Sequence, residues 1–137
     1  SYPVSIKDLN KTDRRESGYC RVKVEGKDLS FYGKKIKTKN KNFWVYAANP
    51  GKIKKPNNSH PIVQSYVDLF IGGCFQIKER YKINEFPKQC VETTTEWSKH
   101  WVNDRVHARR PFLVSNFYKI DNLLSNFFDY YLDNKYQ

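Results

Sequence analysis

Apolar and polar residues alternate in two short stretches of the first third of the chain, and a third stretch is a short aromatic-rich apolar run. In residues 19–24, Cys20, Val22 and Val24 fall on one side and Tyr19, Arg21 and Lys23 on the other, the two-residue period of a half-buried strand. Glu25-Gly26-Lys27-Asp28 is a turn signal. Residues 29–32 alternate again, with Leu29 and Phe31 inward, and Gly33 suits a bulge. After a reversal over residues 37–42, the run F-W-V-Y-A-A (43–48) predicts a third strand, with Phe43 and Val45 inward. The economical reading is a three-strand antiparallel meander whose outer face carries Tyr19, Arg21, Lys23, Ser30, Tyr32, Trp44 and Tyr46.

Proline, glycine and asparagine make residues 49–59 a loop. Pro61 suits the first turn of a helix, and Ile62, Val63, Tyr66, Val67 and Phe70 recur at helical spacing until Gly72-Gly73. A strand over 65–71 fits the same run. Residues 74–81 return to alternation, which predicts another strand. Thr93-x-x-Glu96 reads as a capping box that opens a helix to about Ala108, before Pro111. Phe117, Ile120, Leu123, Leu124, Phe127, Phe128 and Tyr131 form one apolar stripe, with Asp121, Asn122, Asp129 and Asp133 opposite. That pattern predicts an amphipathic C-terminal helix, greasy inside and acidic outside. The predicted fold class is α+β: an antiparallel β-sheet of about four or five strands, beginning with the meander, packed against two or three helices. At 137 residues one domain is expected, with a basic β-rich half (1–60) and a near-neutral helix-containing half (61–137).

Charge changes this picture more than composition does. The chain carries +11, and residues 1–60 hold 15 Lys+Arg against 5 Asp+Glu. Residues 61–137 hold 10 against 9. A field this positive draws in polyanions. No apolar run approaches the ~18 residues of a membrane span, so no membrane partner is expected. The N-terminus lacks the apolar core of a signal peptide. Three widely spaced cysteines (Cys20, Cys74, Cys90) with no C-x-x-C read as reduced thiols of an intracellular protein, nuclear or cytoplasmic. The abundance of Lys, Asn, Tyr, Ile and Phe points to an AT-rich genome, of the kind many viruses carry.

Candidate chemistry lies in the basic half. Lys34, Lys35, Lys37, Lys39 and Lys41 form a ladder between Tyr32 and the aromatic strand, and Lys52, Lys54 and Lys55 follow it. No Asp or Glu occurs between Asp28 and Asp68, whereas an ordinary solvated surface mixes both signs. Lysines and arginines (here with Arg21 and Lys23) neutralise phosphates, and Tyr32, Trp44 and Tyr46 offer flat faces to bases. The expected function is non-enzymatic binding of nucleic acid, DNA or RNA, single-stranded or weakly sequence-specific. Alternatives are a protein-interaction module docking on an acidic partner surface, with homo-oligomerisation through its aromatic patches, and a secreted heparin-binding protein glycosylated at Asn10 or Asn57. Last comes a metal-dependent nuclease. His100, Asp104 and His107 would share a face if residues 97–108 were helical. The preferred reading of that segment has Trp97 and Trp101 in the core and Arg105, Arg109 and Arg110 extending a phosphate-contacting surface. No catalytic residue, metal or cofactor is expected.

From Pro3 to about Ile62 the order of features, ending in His60-Pro61-Ile62, resembles the SpoVG family of small bacterial nucleic-acid-binding proteins. The resemblance covers under half of the chain, and no residue's role is carried over from it.

Overall fold

The computed structural model of the chain describes residues 4–32, 37–110, 115 and 117–133, with only the backbone of Lys52, Leu132 and Asp133. The chain divides into two compact units, Ser1–Lys54 and Lys55–Gln137.

The first unit is a helix and a hairpin. Helix α1 (Ile6–Arg15) begins at Ser5, whose Oγ accepts from the Asp8 N–H at 3.1 Å and donates to Asp8 Oδ2 at 2.6 Å. This satisfies an otherwise orphaned donor of the first turn. Strands β1 (Tyr19–Val24) and β2 (Phe43–Ala48) pair antiparallel, with Arg21 opposite Tyr46, Val22 opposite Val45 and Lys23 opposite Trp44. Both strands stand where the sequence pattern predicts them. The strand expected at 29–32 is absent. Gly26–Asp28 form a 3₁₀ turn, and Leu29 to Tyr32 take part in no ladder. A further turn runs through Thr38 and Lys41, with Asn40 in the left-handed region. The bulge at Gly33 lies outside the described residues. Among the described residues the sheet of this unit therefore has two strands rather than the three of a meander.

That shortfall alters the burial. No described residue of the first unit is fully buried, and Val22 and Val45, expected in a core, are 44% and 48% exposed. An isolated two-stranded hairpin is marginal in water. Here Asp13 of α1 supports it, accepting from Tyr46 Oη at 2.5 Å and pairing with Arg21 at 3.1 Å.

The second unit holds the core. Strand β3 (Ile62–Val63) runs parallel to β4 (Trp101–Val102), and helix α2 (Gln64–Tyr81) starts directly after β3. The glycine pair does not stop α2. The helix runs through it to Lys82, whose left-handed backbone (φ 58°) ends it. Val67, Ile71 and Cys74 lie at helical spacing on the buried side, which outweighs the propensity cost of glycine. The strand read from alternation over 74–81 is thus the second half of α2. Helix α3 (Phe86–Thr93) follows and packs against α2, bringing the Cys90 thiol beside Cys74. Burial and this neighbour push the Cys74 thiol up to about 12. The three cysteines are free.

Residues 97–108 are not a helix. Thr93 ends α3 instead of opening a new helix, its Oγ1 donating back to the Gln89 carbonyl at 2.7 Å. Beyond it the backbone finds side-chain partners that compete with helical bonds: Asn103 Oδ1 accepts from the Arg105 N–H, and Asp104 from the N–H groups of Ser65 and Arg109. The single C-terminal helix expected from the apolar stripe is two pieces, α4 (Phe117–Ser125) and the short α5 (Tyr130–Asp133).

Val67, Ile71, Val91, Trp101, Ile120, Leu124 and Tyr131 form the core, with Trp97 stacked on Trp101 at 5.7 Å. The α+β class stands, but among the described residues the sheet of four or five strands is replaced by two separate two-stranded sheets and more helix than expected.

Candidate nucleic-acid interface

Because cross-strand neighbours share a face, the register places Arg21, Lys23, Trp44 and Tyr46 together on one side of the hairpin. Trp44 is 40% exposed, and the Arg21 guanidinium lies 4.8 Å from its ring centroid. A cation on an indole face is held by the ring quadrupole. Arg21 is also fixed from the other direction by Asp13, so its orientation is doubly set. Lys23 is exposed and 3.7 Å from Glu25. Tyr46 differs from its neighbours. It is half-buried, and its hydroxyl is bound to Asp13, so it anchors α1 to the hairpin.

Tyr32, Lys37, Lys39, Lys41 and Lys54 are exposed. Lys34, Lys35 and the Lys52 side chain lie outside what is described. Lys55 belongs to the second unit, where its ammonium stands 3.4 Å from Glu96. The first unit carries 14 Lys+Arg against 5 Asp+Glu, and two of those acids, Asp13 and Glu25, sit against Arg21 and Lys23.

The second nominated group comes apart. His100 precedes β4 with Nδ1 2.7 Å from Asn58 Oδ1, Asp104 faces Ser65, and His107 is exposed in a 3₁₀ turn. No group of three or more His, Cys, Asp or Glu among the described residues could hold a metal ion. Burial alone would raise the Asp104 carboxyl, but hydrogen bonds from the Arg109 N–H and from the Ser65 hydroxyl and N–H outweigh it, and the carboxyl is held below its ordinary value. Its contribution to stability is therefore present above about pH 4 and is lost as pH falls through the lowered value. Asp104→Asn should be less stable than wild type at pH 7 and lose less on acidification to about pH 3, as read from urea midpoints.

Arg105 is not at a phosphate surface either. It lies between two buried carboxylates, its Nε and Nη2 donating to Asp68 at 2.7 and 2.6 Å and its Nη1 and Nη2 to Asp121 at 3.1 and 2.8 Å. Burial would lower its pKa, but these bonds raise it. Asp121, expected on an acidic outer face, also accepts from Tyr131 Oη at 2.7 Å. Gln64 completes the network, donating to Asp68 and accepting from Trp101 Nε1. Neither the aspartates nor Gln64 announce themselves in sequence. The signal available was an Asp within an apolar stripe at position 121 and another within the first turns of α2.

No family model, curated protein or solved structure matches this chain. The resemblance in feature order to the SpoVG proteins thus has no support, and the described residues hold a two-stranded hairpin in place of the meander it relied on. No helix among the described residues is long and apolar enough to cross a membrane.

Proposed function

We propose that the first unit is a non-catalytic nucleic-acid-binding element that takes single strands, DNA or RNA, with little sequence preference. The observation that carries this reading is the exposed Trp44 ring, stacked with Arg21 and directly across the ladder from Lys23. An unpaired base can lie on an indole face or on a guanidinium plane, and each stacked base contributes ~1–3 kcal/mol. Lys37, Lys39 and Lys41, exposed just before β2, supply cations for the backbone that follows such a base. Residues 29–67 contain no carboxylate to compete for them. Heparin offers the lysines sulfate in place of phosphate but no flat aromatic base for Trp44, which favours nucleic acid.

Titration of labelled single-stranded and duplex oligonucleotides across a salt series tests the reading. Log affinity should fall linearly with log salt, and Lys37→Glu with Lys39→Glu should weaken all sequences alike and flatten the slope. Trp44→Ala should cost single strands about 1–3 kcal/mol, change duplex binding little and leave the melting temperature in place. Salt-insensitive binding, or a Trp44→Ala protein that holds single strands as tightly as wild type, would overturn the proposal.

A further inference from the structure

Helix α2 buries one side through Val67, Ile71 and Cys74 and presents a second apolar side to solvent. Tyr66, Leu69, Phe70, Ile77 and Tyr81 are each between 37% and 60% exposed. At helical spacing they fall in one stripe, about 22 Å long at 1.5 Å per residue. Near its midpoint is Gly73, where a Cβ would meet nothing within 4 Å. Internal packing thus gives no reason for a residue that weakens a helix. A missing side chain in the middle of an exposed apolar stripe is where a second backbone can come close.

The two ends of the stripe are alike. The Arg110 guanidinium lies 4.5 Å from the Tyr66 ring and that of Arg80 lies 5.5 Å from the Tyr81 ring. Arg109 and Lys82 add cations next in sequence at the two ends. Glu79, the acid closest to the stripe along α2, is 3.7 Å from Lys119 of α4.

We infer that this side of α2 docks an amphipathic helix of another protein, whose apolar stripe is flanked by acidic residues. The open position at Gly73 suits a crossing helix, and the apolar residues on either side of it suit the partner's apolar stripe. The cationic ends select its charge. A second copy of this chain would bring basic end against basic end, in a chain already at +11. This surface lies in the second unit and does not depend on the nucleic-acid reading.

Synthetic helical peptides of about 20 residues, long enough to cover the stripe, provide the probe. Three share composition outside the flanks: one Glu-flanked, one Lys-flanked, one Glu-flanked with its apolar residues scrambled. Fluorescence anisotropy should show binding of the first alone. Gly73→Leu should weaken it about tenfold or more without lowering the melting temperature, since that position is open. Arg80→Glu with Arg110→Glu should transfer binding to the Lys-flanked peptide. Equal binding of all three peptides, or no binding of any, overturns the inference. So does Glu-flanked binding indifferent to Gly73→Leu, or a sedimenting dimer that Gly73→Leu abolishes while no peptide binds, which would make the face a self-association surface.

Discussion

Arg105→Ala should destabilise the second unit by about 3–5 kcal/mol at pH 7, among the largest effects of any single substitution in the chain. The reason is what it leaves behind. Asp68 and Asp121 are both buried, and the one guanidinium between them supplies two hydrogen bonds to each. Without it two carboxylates face each other, and their partners Gln64 and Tyr131 bring no positive charge. Loss of the contact with the Phe117 ring, 4.9 Å from the guanidinium, is minor beside that. Stranded charge has a signature that lost packing lacks. Protonating one of the two carboxylates relieves the repulsion and the desolvation together, so the deficit relative to wild type should shrink as pH falls from 7 toward 4. Urea unfolding at several pH values reads this directly. A deficit below about 1 kcal/mol at pH 7, or one that does not change with pH, would show that the network is not held by its charge.

How far the sequence announced this architecture depends on which physical signal each segment carries. Strand β1 was legible because alternation sustained over six residues matches a strand and no helical period, and β2 because a short run of aromatic and β-branched residues bounded by turn signals suits a strand; the shared face of Arg21, Lys23 and Trp44 follows from their parity. Leu29 to Tyr32 show the same pattern over four residues, too short to outweigh the turns on either side. Helix α1 was not legible: the segment's polar character hides any apolar stripe, and its start shows only in the Ser5–Asp8 cap of the folded chain. In α2 the misleading cues were Gly72-Gly73 and the alternation of 74–81. Tertiary packing of Ile71 and Cys74 overrode the first, and the second has no counterpart in the burial, since of residues 74–81 only Cys74 is buried while Ile77 and Tyr81 are exposed. Thr93-x-x-Glu96 has the form of a start signal, but its threonine turns back to the helix behind it, and Glu96 adopts a left-handed backbone (φ 64°) that no helix start uses. What sequence could not reveal is long-range pairing of charge. Asp68, Arg105 and Asp121 lie far apart along the chain, and only the packing of α2 and α4 with the turn after β4 brings them together.

The three tryptophans should separate the roles of the two units, with Trp101→Ala the second large effect, about 3–5 kcal/mol of stability. Trp101 is buried in β4 with Trp97 stacked on one side, Tyr131 edge-on at 5.3 Å and its indole N–H donating to Gln64 Oε1 at 2.8 Å. Truncation opens a cavity that the strand pairing to Ile62 keeps from collapsing, and it removes a donor from the residue that links the core to the Asp68–Arg105–Asp121 cluster. Trp101→Phe refills most of the volume but not the hydrogen bond, so it should recover much of the loss and leave a residue of about 1 kcal/mol. Trp97 is half-buried and donates to the Val91 carbonyl, so Trp97→Ala should cost less than Trp101→Ala. Trp44→Ala should move the melting curve least, because the ring lies at the surface of the hairpin under Arg21 and its loss leaves no enclosed cavity. Denaturant unfolding of the three alanine variants followed by circular dichroism gives the order Trp101, Trp97, Trp44. If Trp44→Ala proved as destabilising as Trp101→Ala, its ring would be packed rather than offered to a ligand, and the proposed stacking surface would be lost with it.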